Sequence, residues 1–233
     1  MALDEHNEFD ELEQAGQHHN WGNNLDPWKT DLIEEYLSPG PVLDIGCGPD
    51  YIYSRFIKSI TEDSVVALDK VPSFLEKDSN IECCCGTAES LPFPDDEFSS
   101  VLLFDVIEHT RDDIAIILEA IRVSNDIVLI TVPTNDEGLA SVGLAHSTWR
   151  DHTHRRHYTD EDIGDIIEKV SLLSNVEGII HKKSHPTGLF AIVLAWNLIK
   201  QEKSGAFRHL HQILHHPIFW VNKISESLTP FFS

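Results

Sequence analysis

The sequence predicts an α/β fold: a Rossmann-like, doubly wound, mostly parallel sheet with helices on both faces and a C-terminal extension. Three observations predict it. Short apolar runs alternate with helical patterns between residues 42 and 132, the order that builds a parallel sheet with helical crossovers. Those runs are near-continuous Val, Ile and Leu, as strands buried on both faces must be. The first run leads through Gly46-Cys47-Gly48 into a helical pattern, placing a glycine turn at the carboxyl edge of the sheet, where such folds bind ligands.

The elements follow in order. Asp26-Pro27 starts a helix, with Asp as N-cap and Pro at the first helical position. That helix runs through Leu32 and Tyr36 and stops at the breaker cluster Ser38-Pro39-Gly40-Pro41. Residues 42–45 are a buried strand and 51–60 a helix. Residues 64–69 form a second strand, and a short helix near 73–77 leads to a third at 81–85. Residues 98–104 are the fourth. Residues 112–123 are a helix with Ile114, Ile117, Leu118 and Ile121 on one face. Residues 126–132 are a fifth strand. Thr159 opens another helix, with an acid at its third position as a capping box requires. A sixth strand fits residues 175–181. The organisation is therefore an acidic arm (1–24), one domain (25–199) and an aromatic, histidine-rich extension (200–233).

Composition limits the function. The chain has 233 residues, enough for a large core, and its 41% hydrophobic and 24% charged fractions are those of a globular protein. Its 17 Lys+Arg against 39 Asp+Glu give a net charge of −22. Nucleic acid is thereby excluded as the default partner, because phosphate binding needs a basic stripe. Such acidity suits a cytoplasm of molar salt, where self-repulsion is screened, so a halophilic source is the expectation. The four cysteines offer no C-x-x-C pair, and Cys83, Cys84 and Cys85 are consecutive. Neither a disulfide scaffold nor a zinc site is expected, and no metal is assigned; a reducing cytoplasm fits. The acidic start Met1-Ala-Leu-Asp-Glu-His lacks the basic-then-apolar pattern, so no signal peptide is expected, and no apolar run reaches the ~18 residues of a membrane span.

The chemistry concentrates at Val42-Leu-Asp-Ile-Gly-Cys-Gly-Pro49. A dinucleotide fingerprint wants a third glycine where this chain has Tyr51, which disfavours a nucleotide-dependent dehydrogenase. Asp44 at the strand end repels a pyrophosphate and suits a ligand with a cationic amine and no phosphate. S-adenosylmethionine is such a ligand. Asp69, ending the second strand, can accept from both hydroxyls of a ribose.

The order of these residues resembles the class I S-adenosylmethionine-dependent methyltransferases, the methyltransferase type 11 group in particular. The resemblance rests on VLDIGCG at 42–48, ALD at 67–69, GTAESLPFPDDEFSSV at 86–101 and VIEH at 106–109, with a weaker HRRHYT at 154–159. It implies S-adenosylmethionine as cofactor, with Asp44, Gly46 and Gly48 at its methionine end and Asp69 on its ribose. Thr87, Ala88 and Glu89 would sit against the adenine, and Phe104, Asp105 and Val106 would line the pocket below the sulfonium. The family usually has Asp where this chain has Thr87, which accepts a hydrogen bond without charge assistance.

Two further segments matter. Residues 146–158 hold three arginines and four histidines in a chain poor in basic groups. Arg150, Arg155, Arg156 and Tyr158 are the expected acceptor contacts, because arginine forks clamp anions. His109, His154 and His157 are the histidines placed to serve as a base for a hydroxyl acceptor. The alternative is that the arginines pair with local acids and the histidines decorate a loop. Residues 188–199 are the most apolar stretch. They read either as the last antiparallel strand of the sheet or, with the aromatic tail, as an amphipathic element touching a membrane surface from the cytoplasmic side.

The resulting expectation is an enzyme that methylates a small polar or lipid-linked acceptor, with a hexuronic acid or other sugar in glycan assembly as the sharpest version. A quinone-precursor methyltransferase and a non-catalytic cofactor-binding protein are the rivals.

Overall fold

A computed structural model describes residues 25–75, 80–133, 153–174, 177–181 and 189–195. Seven strands form one sheet: β1 (Val42–Ile45), β2 (Val65–Asp69), β3 (Glu82–Cys85), β4 (Phe98–Phe104), β5 (Ser124–Pro133), β6 (Glu177–His181) and β7 (Leu189–Ala195). Their spatial order is β3-β2-β1-β4-β5-β7-β6. The first five run parallel, and β7 lies antiparallel to both β5 and β6. Every residue of β1, β2 and β4 is buried, which is why these strands show no polar alternation. Between β1 and β4 the order reverses direction, so the carboxyl ends of β1, β2 and β4 open onto a common crevice.

Four helices flank the sheet among the described residues: α1 (Pro27–Tyr36), α2 (Ile52–Ile60), α3 (Asp113–Val123) and α4 (Asp160–Ser174). Asp26 caps α1, its Oδ1 accepting from the Trp28 amide at 2.9 Å. Asp112 caps α3 through the Ala115 amide at 3.0 Å. At α4, Thr159 and Asp162 form the expected reciprocal box: the Asp162 amide donates to Thr159 Oγ1 and the Thr159 amide to Asp162 Oδ2. The main core joins Leu43, Ile45, Val101, Leu103, Val128 and Ile130 of the sheet to residues of α3 and α4. The buried face of α3 centres on Ile116, Ile117, Ala120 and Ile121. Ile114 and Leu118, expected on that face, lie at its partly buried margin.

One expectation is modified and one choice is decided. Of the short helix expected near 73–77, the described residues form a 3-10 turn at Pro72–Phe74, and residues 76–77 lie outside the described residues. Residues 189–195 are an interior strand hydrogen-bonded on both sides. This is the antiparallel-strand reading of the segment; residue 188, residues 196–199 and the aromatic tail lie outside the described residues. The arm, the extension, His146 and Arg150 lie outside the described residues. Among the described residues no helix is long and apolar enough to cross a membrane.

Candidate functional site

The turn after β1 is built from backbone conformations that ordinary residues avoid. Gly46 and Gly48 have φ of +69° and +65°, and Asp50 and Tyr51 follow at +66° and +32°. The amides of Gly46 and Cys47 both donate to the Leu68 carbonyl, at 2.8 and 3.1 Å, lashing the turn to the end of β2. The two glycines do different work. A Cβ on Gly46 would stand 2.6 Å from Cγ2 of Val106, whereas a Cβ on Gly48 would meet nothing within 4 Å. Gly46 lets the turn pack against the segment after β4; Gly48 leaves open space in front of the backbone. Tyr51 is buried behind the turn.

Two carboxylates frame this turn. Asp69 ends β2 and is buried; its Oδ2 accepts from the Gly48 amide and its Oδ1 from the Val71 amide, each at 2.9 Å. Burial raises its pKa against the lowering effect of those amides. Each oxygen keeps a further lone pair, so Asp69 can latch the glycine turn and still accept from a ligand hydroxyl. Asp44 lies in the middle of β1, fully buried, with Ser54 Oγ of α2 donating to its Oδ2 at 2.6 Å. Desolvation pushes its pKa up to about 6; the Ser54 hydroxyl opposes this and the nearby Asp69 charge adds to it. A buried carboxylate held at such cost suits a cationic ligand group beside it. The chain thus presents a buried acid in β1, a second buried acid with spare lone pairs at the end of β2, and an open glycine beside them.

Thr87, Ala88 and Glu89 form the turn after β3, closed by the Ser90 amide on the Thr87 carbonyl at 3.3 Å. Thr87 and Glu89 are exposed and Ala88 is half-buried. The loop that follows is held by Arg122 of α3. Its guanidinium donates to the carbonyls of Leu91 and Phe93 and pairs with Asp95 and Glu119, while Glu119 accepts from the Leu91 amide.

Asp105 follows β4 directly, in the left-handed region at φ +55°. Thr131 of β5 donates to its Oδ1 at 3.0 Å, and its Oδ2 pairs with the ammonium of Lys29 on α1. Lys29 is buried against the rings of Tyr53 and Phe104, 5.5 and 5.7 Å from their centroids. Burial works against the Lys29 charge, but the attraction of Asp105 and its neighbours outweighs it and the pKa rises.

The segment 153–158 is fastened along the turn Ile107–His109. The Arg155 amide donates to the Glu108 carbonyl at 2.8 Å and its Nε to the His109 carbonyl at 3.1 Å. The rings of His109 and His154 meet edge to face with centroids 4.7 Å apart, and His157 lies 6.0 Å beyond His154. The histidines are therefore brought together. Arg156 takes the pairing alternative: its guanidinium bonds Asp113 at 2.5 Å and the Arg111 carbonyl. The buried Tyr158 donates between the Ile107 carbonyl and Asp113 Oδ2, at 3.3 and 3.1 Å. Both side chains are spent on anchoring the segment to α3.

Sequence reasoning missed Lys29, Glu108 and Arg122. Lys29 had a signal: with Leu32, Ile33 and Tyr36 it occupies the buried stripe of α1, and a lysine in such a stripe asks for an anion.

Residues 43–126 match the family model described as a methyltransferase domain. An uncharacterized methyltransferase of Schizosaccharomyces pombe is 33% identical over 110 residues, which cover 41% of this chain and 40% of that protein. A chloroplastic 2-methyl-6-phytyl-1,4-hydroquinone methyltransferase of Oryza sativa is 31% identical over 109 residues, 41% of this chain and 31% of that protein. The chain thus spans well under half the length of these relatives. Among solved structures, the plantazolicin methyltransferase BpumL, in complex with a pentazolic desmethylPZN analog and SAH, superposes with a TM-score of 0.61 at 13% identity, covering 82% of this chain and 99% of that one.

Proposed function

We propose that this chain, whose residues 43–126 match a methyltransferase domain, is a class I S-adenosylmethionine-dependent methyltransferase that transfers the methyl group to an oxygen of a small polar acceptor. The observation that carries the reading is the pair of buried acids, Asp44 and Asp69, on either side of the open backbone at Gly48. Asp44 would hold the ammonium of the cofactor, Asp69 its ribose, and the turn Thr87-Ala88-Glu89 its adenine. The cofactor, when bound, supplies an already activated methyl group, so the chain's task is alignment. Asp105, fixed by Thr131 and Lys29, marks the acceptor side of the crevice. His109, His154 and His157 are the nearby groups that can receive a proton from a hydroxyl acceptor, and the exposed Arg155 is the cation best placed to greet an anionic one.

A sugar acid, free or lipid-linked and of the hexuronic class used in glycan assembly, is the acceptor this arrangement suits. A quinone precursor is the second reading, favoured by the identity with the rice hydroquinone methyltransferase. The test is transfer of labelled methyl from S-adenosylmethionine to hexuronic acids, their lipid-linked forms and hydroquinones. Labelling of the sugar acids supports the first reading and of hydroquinones the second. Cofactor binding without transfer to any acceptor would favour a non-catalytic binding protein.

A further inference from the structure

We propose that Glu108, His109 and His154 form a binding site for one divalent transition-metal ion. One ligand atom from each of the three lies within 4.8 Å of the others. A metal with bonds of about 2.0–2.2 Å holds its ligand atoms roughly 3–3.5 Å apart, so small side-chain rotations close the set. Two imidazoles and a carboxylate are the donors of zinc, manganese, iron and cobalt, not the all-oxygen cage of calcium. Three protein ligands leave coordination positions open, as at reactive rather than purely structural sites.

The arrangement is prepared by the backbone. The donors come from two segments more than forty residues apart, fastened by Arg155 to the carbonyls of Glu108 and His109. His109 Nδ1 lies 3.2 Å from the Thr153 carbonyl and 3.1 Å from its hydroxyl. When Nδ1–H donates to that carbonyl, the other ring nitrogen keeps the lone pair a metal requires, the usual support behind a ligating histidine. Glu108 is completely buried. One carboxylate and two neutral imidazoles give the site a charge of about −1, which a dication overcompensates by a single charge. The competing arrangement is a protonated imidazole paired with Glu108. The cysteines offer poorer competition for the ion, since burial pushes the Cys47 and Cys84 thiols up, away from the thiolate form.

Glu108 and His109 stand in the turn that follows Asp105 at the carboxyl end of β4. Open coordination positions there would bind an acceptor oxygen, with His157 the histidine then left to take its proton, a role that rests on the methyltransferase reading.

The experiment uses the full chain, stripped with chelator and titrated with Co²⁺ by visible absorption and with Zn²⁺ by calorimetry. One ion per chain, with ligand-field bands and no thiolate charge-transfer band, is expected. Glu108→Gln and His154→Ala should each weaken binding at least ~100-fold, the upper end of what losing a mere supporting hydrogen bond costs. His154→Ala lies outside the deep core, so it keeps the test valid where Glu108→Gln fails to fold, as judged by circular dichroism. Absence of binding, a thiolate signature, or equal affinity in folded variants overturns the site. Stoichiometric binding in a chain that transfers no methyl sustains the site and overturns only the proposed function.

Discussion

Lys29 of the first helix and Asp105 at the end of the fourth strand, 76 positions apart, form an ion pair beneath the rings of Tyr53 and Phe104. The pair ties α1 to the end of β4 at the point where the crevice begins. It is also the link through which a helix preceding the glycine turn reaches the far side of the site.

Lys29→Ala leaves Asp105, its side chain 26% exposed, without its cation and should destabilise the chain by about 2 kcal/mol or more. Lys29→Met with Asp105→Asn should recover a good part of that loss, which a double-mutant cycle by thermal melting would read. The raised pKa of Lys29 means its contribution is whole below pH 10.5 and is lost as pH climbs through the higher native value. Additive single effects would show that the two residues act independently.

Asp44 reverses the usual carboxylate behaviour. Its native pKa of about 6 lies above the ordinary 3.8, so the native state binds more protons than the unfolded chain between those values. Stability should therefore fall as pH rises from about 4 to 6, by on the order of 3 kcal/mol from this group. Asp44→Asn should flatten that part of the melting profile. In the native chain, affinity for S-adenosylhomocysteine should weaken as pH drops through about 6, because the ammonium loses its partner. A pH-independent affinity would remove Asp44 from that role.

The two glycines should fail differently. Gly46→Ala combines a left-handed backbone with a 2.6 Å approach to Val106, so it should cost ~2 kcal/mol or more in stability. Val106→Ala in the same chain should relieve part of it. Gly48→Ala faces open space and should cost only the ~1–2 kcal/mol of its backbone strain, while S-adenosylhomocysteine binding falls at least tenfold by titration calorimetry. Melting temperatures that drop equally in both would contradict the distinction.

Arg156→Ala and Tyr158→Phe should each lower the melting midpoint, the lost Tyr158 bonds costing roughly 1–2 kcal/mol of unfolding free energy. The expected accompaniment is an acceptor KM that changes only a few-fold, since both side chains face α3. An acceptor KM that rises tenfold in Arg156→Ala with unchanged stability would return that residue to an acceptor clamp.

A chain with a net charge of −22 should melt higher in multimolar KCl than in dilute buffer, because screening relieves repulsion among its carboxylates. A midpoint that falls with salt would mark an ordinary acidic protein.

Much of this was legible in the sequence where a single local signal decides the structure. Asp26-Pro27 and Thr159 with Asp162 announced their helices through capping, and VLDI, VVALD and VLLF announced strands through uninterrupted burial. The place of Asp69 at the end of the second strand, beside the glycine turn, was legible because it closes an uninterrupted apolar run. Pairings across the fold were not. Nothing near residue 29 in the chain names Asp105 as its partner, and nothing near Arg156 names Asp113. Arg156 looked like an acceptor contact because composition shows charge without showing its direction, here toward Asp113. Likewise, Glu108 stands beside His109 in sequence, but only the fastening of residues 153–155 to the Ile107–His109 turn brings His154 to both.

The position of β7 between β5 and β6 has a consequence for the chain as it leaves the ribosome. The parallel half of the sheet is complete once β5 has been made, yet one edge of β5 then waits for a strand that begins at Leu189. The following strand to emerge, β6, has no place of its own on β5, since it pairs with β7 alone. During that interval an apolar, unpaired edge is open to solvent and to other nascent chains. Synthesis halted after α4 should yield aggregation-prone product, and a supplied peptide spanning residues 177–195 should rescue its solubility. The last described strand is in this sense the chain's own shield against self-association.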